Sequence, residues 1–157
     1  MNKPLTPHGP GFSFVDGFTP GGTGGGTAWK YLAPESPFFA DHFPGAPVMP
    51  AVLLAECAAQ AAGTVWMHAS GHEPGTPLFL ASIERFRVKS GVAPGATVRT
   101  EVETMRQMGK LAQFEVHCFV DDAEVAAGHL VLSMDNHSAS DRSEKADRAP
   151  SQSPTAP

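Results

Sequence analysis

Three prolines crowd the approach to one very apolar stretch, and this arrangement constrains the fold more than any other feature of the chain. In FFADHFPGAPVMPAVLLAECAAQAAG, residues 38–63, Pro44, Pro47 and Pro50 each fix φ and push the preceding residue toward extended geometry. A helix can begin at Pro50, because a missing N–H costs nothing at the first helical position. Residues 51–67 are almost all Ala, Val, Leu, Cys, Trp or Met, so this helix is expected to be apolar all round and buried. Glu56 stands in its middle, where an ionised carboxylate is expensive unless it is paired or used. Glu56, Gln60 and Thr64 recur every four residues and form one polar stripe. Gly71, shortly after His68, is a normal helix stop, with Pro74 beyond it.

A chain of 157 residues suits a single domain with its own core. The net charge of −5 argues against general nucleic-acid binding, which needs a broad basic surface. Cys57 and Cys118 fit no zinc spacing, and a reduced, cytoplasmic compartment follows. Neither a signal peptide nor a membrane span is expected. Residues 1–11, with three prolines and two glycines, read as an irregular lead-in. Residues 135–157 are rich in Ser, Ala, Pro and mixed charge and are expected to form a disordered tail. The domain proper is residues 12–134.

Within it, residues 12–18 and 28–32 read as two short strands joined by the glycine-rich turn at 19–27. That turn lacks the Gly-Lys-Ser/Thr of a phosphate loop, and Thr27 falls where a dinucleotide motif needs its third glycine. After the helix, residues 78–88, 96–105, 111–120 and 124–134 read as four consecutive strands paired as a meander. Strand alternation puts Ile83, Arg85, Arg87 and Lys89 on one face of the first of these. The fold class is therefore α+β, an antiparallel sheet curled around one long central helix. A sheet covers only one side of such a helix, so a homodimer is expected. His68, His72 and Glu73 have a metal-like spacing, but Gly71 ends the helix between them and no third ligand is evident; no metal is expected. Cys57 points about 100° away from Glu56 round the helix and reads as packing rather than as a nucleophile.

The chemistry concentrates on His42 and Glu56. An imidazole and a carboxylic acid in a water-poor slot are the groups an elimination needs: one takes an α-proton, the other protonates a departing hydroxyl. Burial is expected to favour the acid form of Glu56. The helix N-terminus offers a home for the developing enolate oxygen, with Ala51 presenting the first free backbone N–H after Pro50. On the residues alone, His42 as a loop cap and Glu56 as a satisfied core carboxylate are equally open.

Pro37-Phe38-Phe39, His42-Phe43-Pro44-Gly45, Pro47-Val48-Met49-Pro50, Val52-Leu53, Glu56 and Ala59-Gln60 together resemble the FabZ-type β-hydroxyacyl-acyl-carrier-protein dehydratases, a hot-dog-fold family. Pro7-His8, Phe12 and Val15-Asp16 resemble that family's N-terminal signature. Ala81, Ile83, Arg87, Lys89 and Pro94-Gly95 resemble its strand after the helix. The resemblance implies a dimer, or a trimer of dimers, with composite sites. The implied substrate is a (3R)-3-hydroxyacyl thioester on the phosphopantetheine of acyl carrier protein, and the product its trans-2-enoyl counterpart. No metal or redox cofactor is implied. His42 would be the base and Glu56 the acid; Ala51, Gly45 and Gln60 would line the substrate site. Arg85, Arg87 and Lys89 would dock the acidic carrier protein. Glu rather than Asp at position 56 favours the FabZ type over the dehydratase–isomerase type.

The chain departs from the family where Ala51 replaces Gly, Cys57-Ala58 replaces Ala-Met, Ser90 thins the basic run and Gly91 replaces Pro. These departures point to a specialised member serving a dedicated acyl or polyketide pathway. The rival readings are a hot-dog thioesterase in which Glu56 activates water, and a non-catalytic acyl-binding subunit.

Overall fold

The computed structural model describes residues 6–134. The expected tail at 135–157 and residues 1–5 of the lead-in lie outside the described residues. Six antiparallel strands form one sheet around a single long helix, the hot-dog arrangement. The elements are β1 (Gly17–Pro20), β2 (Gly25–Tyr31), α1 (Pro37–Asp41), α2 (Ala51–Ser70), β3 (Phe79–Val88), β4 (Thr97–Met108), β5 (Leu111–Val120) and β6 (Ala123–Ser133). A single 3-10 turn, Pro10–Phe12, precedes them.

Pro50 is the N-cap of α2 rather than its first residue, with extended backbone geometry that suits proline. The far end stops at Gly71, whose φ of +63° is the left-handed conformation glycine adopts without penalty. Its N–H and that of His72 close on the carbonyls of His68 and Met67. From Leu54 to Met67 every residue except Glu56 is buried. The first turn departs from the expected all-round burial: Ala51 is exposed and Val52 is 75% exposed.

The glycine-rich hairpin is more ordered than its composition implies. Strand β1 begins five residues later than the expected 12–18 and ends at Pro20, and β2 begins at Gly25 instead of position 28. Glycines 25 and 26 pair with Glu103 and Val102 of β4. A Cβ on Gly26 would lie 2.9 Å from Val65 Cγ2, so the missing side chain lets β2 press onto α2. The groove beside the hairpin, about 460 Å³, is lined by Glu101, Glu103 and Glu115. Those carboxylates repel a phosphate, although this cavity is larger than the one at the candidate site.

The four later strands form as expected, but they are not a meander. The sheet order is β1-β2-β4-β5-β6-β3, with β3 paired to β6 at the far edge. Helix α2 has 20 residues and spans about 30 Å, so it carries the chain clear across the sheet before β3 begins. The chain then returns past Met49 and Leu32 to enter β4, marked by bonds from Met49 N to Val92 O and from Leu32 N to Ala96 O.

The single basic face expected on β3 is also interrupted. Glu84 pairs with His129, yet Arg87 pairs with Ala127, so one extra residue sits on β3. Arg85 absorbs it at φ +54°. The backbone of Phe86 folds over Gly128, where a Cβ would lie 2.4 Å from Phe86 Cα. Strict alternation therefore fails between Arg85 and Arg87.

Candidate active site

The segment between α1 and α2 holds His42 in a closed loop. The Val48 N–H donates to the His42 carbonyl at 2.8 Å, and Phe43 and Ala46 exchange backbone bonds inside the loop. Gly45 sits at φ +78°, where a side chain would be strained, which accounts for the glycine within HFPG. The His42 ring lies 2.9 Å from the Val48 carbonyl through Nδ1. A carbonyl can only accept, so Nδ1 carries the hydrogen and the neutral ring keeps its lone pair on Nε2. His42 also stacks on Phe43, which is itself exposed. Gly91 belongs to the same construction, because a Cβ there would lie 2.7 Å from Val48 Cγ2. A departure noted in the sequence thus lets the returning chain press on the residue that aims His42.

At the start of α2 the Pro50 carbonyl accepts from the N–H groups of Leu53 and Leu54, at 2.9 and 3.1 Å. The amides of Ala51 and Val52 are left as the donors of that exposed first turn.

Glu56 lies one turn further along α2 and is half-buried, its side chain 24% exposed. It is therefore less enclosed than the helix composition implies. Gln60 holds it: Nε2 donates to Glu56 Oε1 at 2.9 Å and also to the Phe12 carbonyl at 2.9 Å. The amide orientation is set by the Phe14 N–H, which donates to Gln60 Oε1 at 2.8 Å. Thr64 turns back, its hydroxyl donating to the Gln60 carbonyl at 2.8 Å. The stripe of Glu56, Gln60 and Thr64 is thus a connected chain, and Gln60 clamps the lead-in onto the helix. Each such bond contributes about 0.5–1.5 kcal/mol, and the charge-assisted one to the carboxylate somewhat more.

Sequence reasoning left one residue out of the site. His8 Nε2 lies 3.6 Å from Glu56 Oε1, and both groups line a cavity of about 60 Å³ that runs past Ala59 to Gly63. Its signal was the Pro7-His8 pair of the N-terminal signature. Among the described residues no hydrogen bond or ion pair joins His42 to Glu56 within one chain.

The remaining candidates lie apart. Lys89 is paired with Glu124, while Arg85 and Arg87 are exposed on β3. His68 packs edge-on against Phe18, their ring centroids 5.3 Å apart. Cys57 and Cys118 are buried, and Cys57 donates to the Phe14 carbonyl at 3.4 Å. Burial pushes the Cys57 thiol far above its ordinary range, with Cys118 nearby adding to the effect. Burial also pushes Cys118 up to about 11, against a smaller opposing contribution from the Thr100 hydroxyl. Iodoacetamide at mildly alkaline pH is therefore expected to label neither cysteine in the folded protein and both after denaturation, read by intact mass. The raised values also fix the sign of a pH effect. Only the unfolded chain gains by ionising these thiols near their usual pKa of about 8.5, so their contribution to stability is complete below that pH. The Cys118 share is lost as pH rises toward about 11, and the Cys57 share continues to fall at still higher pH.

Comparison with known proteins decides the family. The profile of the FabA-like domain matches residues 6–129. The chain belongs to the FabA-like family. A 3-hydroxyacyl-[acyl-carrier-protein] dehydratase FabZ of Clostridium perfringens is 35% identical over 107 residues, covering 68% of this chain and 76% of that protein. The FabZ of Herpetosiphon aurantiacus is 34% identical over 131 residues, covering 83% of this chain and 92% of that protein. Among solved structures, the dehydratase heterocomplex ApeI:P from Xenorhabdus doucetiae superposes with a TM-score of 0.71 at 15% identity. That likeness covers 93% of this chain and 96% of the other, and shows the shared fold. The FabA-like match begins at Thr6, so it includes His8 and the lead-in that Gln60 clamps.

Proposed function

We propose that this FabA-like protein dehydrates (3R)-3-hydroxyacyl thioesters on acyl carrier protein to trans-2-enoyl thioesters. The observation that carries the reading is the Nδ1–H bond from His42 to the Val48 carbonyl, which directs a basic Nε2 away from the loop. His42 Nε2 takes the α-proton while the electron pair forms the Cα–Cβ double bond. The C–O bond at Cβ breaks, and Glu56 protonates the departing hydroxyl to give water. The Ala51 amide, at the positive end of α2, stabilises charge developing on the thioester oxygen. Gly45 lets the loop turn beside the thioester, and Gln60 holds the Glu56 carboxyl in place. No metal or redox cofactor enters this reaction.

His42 and Glu56 come from different subunits of a homodimer, or of a trimer of dimers. Strand β3 is an edge whose exposed residues include Phe79, Leu80, Ile83 and Val88. A second copy adding its own β3 there covers these side chains and the exposed Val52. Arg85 and Arg87 then flank the dimer and dock the acidic carrier protein; Lys89 contributes less because Glu124 already neutralises it. The protein works in the cytoplasm, in fatty-acid synthesis or in a specialised acyl or polyketide pathway.

Incubation with a 3-hydroxybutyryl thioester tests the reaction class. Enoyl absorbance without free thiol is the expected result, whereas free thiol without enoyl would instead identify a thioesterase.

The cavity beside Glu56 is where the acyl chain runs. Its far end is limited by Gly63, where a Cβ would lie 3.1 Å from Leu78 Cδ1 and 3.3 Å from Thr6 Cγ2. Gly63→Val is expected to spare 3-hydroxybutyryl substrate and to lower kcat/KM for longer chains by about tenfold or more, since one methylene in an apolar pocket is worth about 1–3 kcal/mol. Comparing four- and eight-carbon substrates measures it; an unchanged ratio would place the acyl chain elsewhere.

A further inference from the structure

Elimination by two separate groups leaves the enzyme in the wrong protonation state. After one turnover His42 holds an extra proton and Glu56 lacks one. The acid must be recharged before the next substrate is processed. Gln60 touches the Glu56 carboxyl but is a neutral amide and cannot supply a proton. His8 can. Its Nε2 is 3.6 Å from Glu56 Oε1, and its side chain is 29% exposed, so it meets both the carboxylate and solvent. The other side chains lining their shared cavity are neutral, including Leu78 just before β3, Leu80 of β3 and Leu132 of β6. His8 is held by more than chance proximity, because its ring packs against Phe12, the residue whose carbonyl Gln60 grips.

We propose that His8 is the proton port of the site, passing a solvent proton to Glu56 between turnovers. The inference rests on the reading of Glu56 as the acid. The imidazolium of His8 gives its Nε2 proton to the Glu56 carboxylate and becomes neutral. It regains a proton from water or buffer, while His42 returns the substrate's α-proton to solvent. No proton is created or lost over the cycle, and the substrate leaves as enoyl thioester and water. Imidazole titrates near neutrality, which suits it to this exchange better than any other side chain. His8 acts through Glu56 and touches no reacting atom of the substrate.

The test compares full-length wild type, His8→Gln, His8→Ala and Glu56→Gln on a 3-hydroxybutyryl thioester, followed by enoyl absorbance. Glutamine keeps a neutral N–H donor near Glu56 but cannot relay a proton at neutral pH. If His8 only positioned Glu56, His8→Gln would keep wild-type kcat. As a port, both His8 variants are expected to lose kcat by about tenfold or more, less than the 10²–10⁴-fold typical of a lost acid or base, with KM little changed. Added imidazole is expected to restore turnover in His8→Ala in proportion to its concentration, and to leave wild type unaffected. A structural defect would not answer to buffer. Full activity in His8→Gln, or no rescue of His8→Ala, overturns the proposal. Loss of activity in Glu56→Gln beside full activity in His8→Gln would remove the port and leave the acid in place. Full activity in Glu56→Gln would remove the acid assignment, and the port with it.

Discussion

Replacing His42 with asparagine is expected to lower kcat for dehydration by about 10²–10⁴-fold, the usual worth of a positioned acid or base. The substitution is chosen for what it preserves. The asparagine amide N–H can still donate to the Val48 carbonyl, the bond that His42 makes at 2.9 Å. The loop from His42 to Val48 should therefore stay closed, and thermal stability should stay near that of wild type. Only the lone pair on Nε2 is lost. Glu56→Gln makes the matching change at the other group: the amide keeps the shape and a contact with Gln60 but has no acidic proton to give. The two defects should combine less than multiplicatively, because removing either group already abolishes the concerted step. If either variant kept most of its activity while folding normally, the roles proposed here would be wrong.

The second large effect is on stability. Gly128→Val is expected to cost about 1–3 kcal/mol or more, because it inserts a branched side chain into packed backbone. For a chain of this size, about 1–3 kcal/mol lowers Tm by roughly 2–12 °C. A Cβ at Gly128 would lie 2.4 Å from Phe86 Cα and 2.8 Å from Phe86 N. The obstacle is main chain, so rotamer changes cannot relieve it. The Arg85 bulge must open or β3 must leave β6, and β3 is the sheet edge proposed to pair with a second copy. Loss of dimer at low protein concentration should accompany the lower Tm. Gly22→Ala is the control, since no atom lies within 4 Å of its Cβ position. Differential scanning calorimetry on the two variants measures the difference. Equal Tm values would mean that the bulge adapts to a side chain at little cost.

Helix α2 was legible because its signals are local. The proline entry, the apolar run and the Gly71 stop each act within a turn or two of the helix they define. The four later strands were legible for the same reason, from alternation and turn residues. Their partners were not. Nothing within residues 78–88 says that β3 pairs with β6 instead of β4; the span of α2 across the sheet decides that. The bulge at Arg85 was hidden because its cause, the close approach of Phe86 to Gly128, joins residues far apart in the chain. The β1–β2 hairpin was mislocated because its glycines read as turn when they are needed for close packing on Val65.

That a histidine precedes a mostly apolar helix interrupted by one carboxyl, and that the helix start offers free amides, was readable in residues 38–63 alone; the exposure of its first turn was not. The chemistry available to the site was therefore determined by sequence, because residue type and helix position set which groups can give or take a proton. Tertiary structure decided how each group is held. The Val48 carbonyl selects the His42 tautomer, Gln60 ties Glu56 to the lead-in, and that lead-in brings His8 against the carboxylate. Such contacts depend on how the chain returns on itself, and that is set by packing over the whole core.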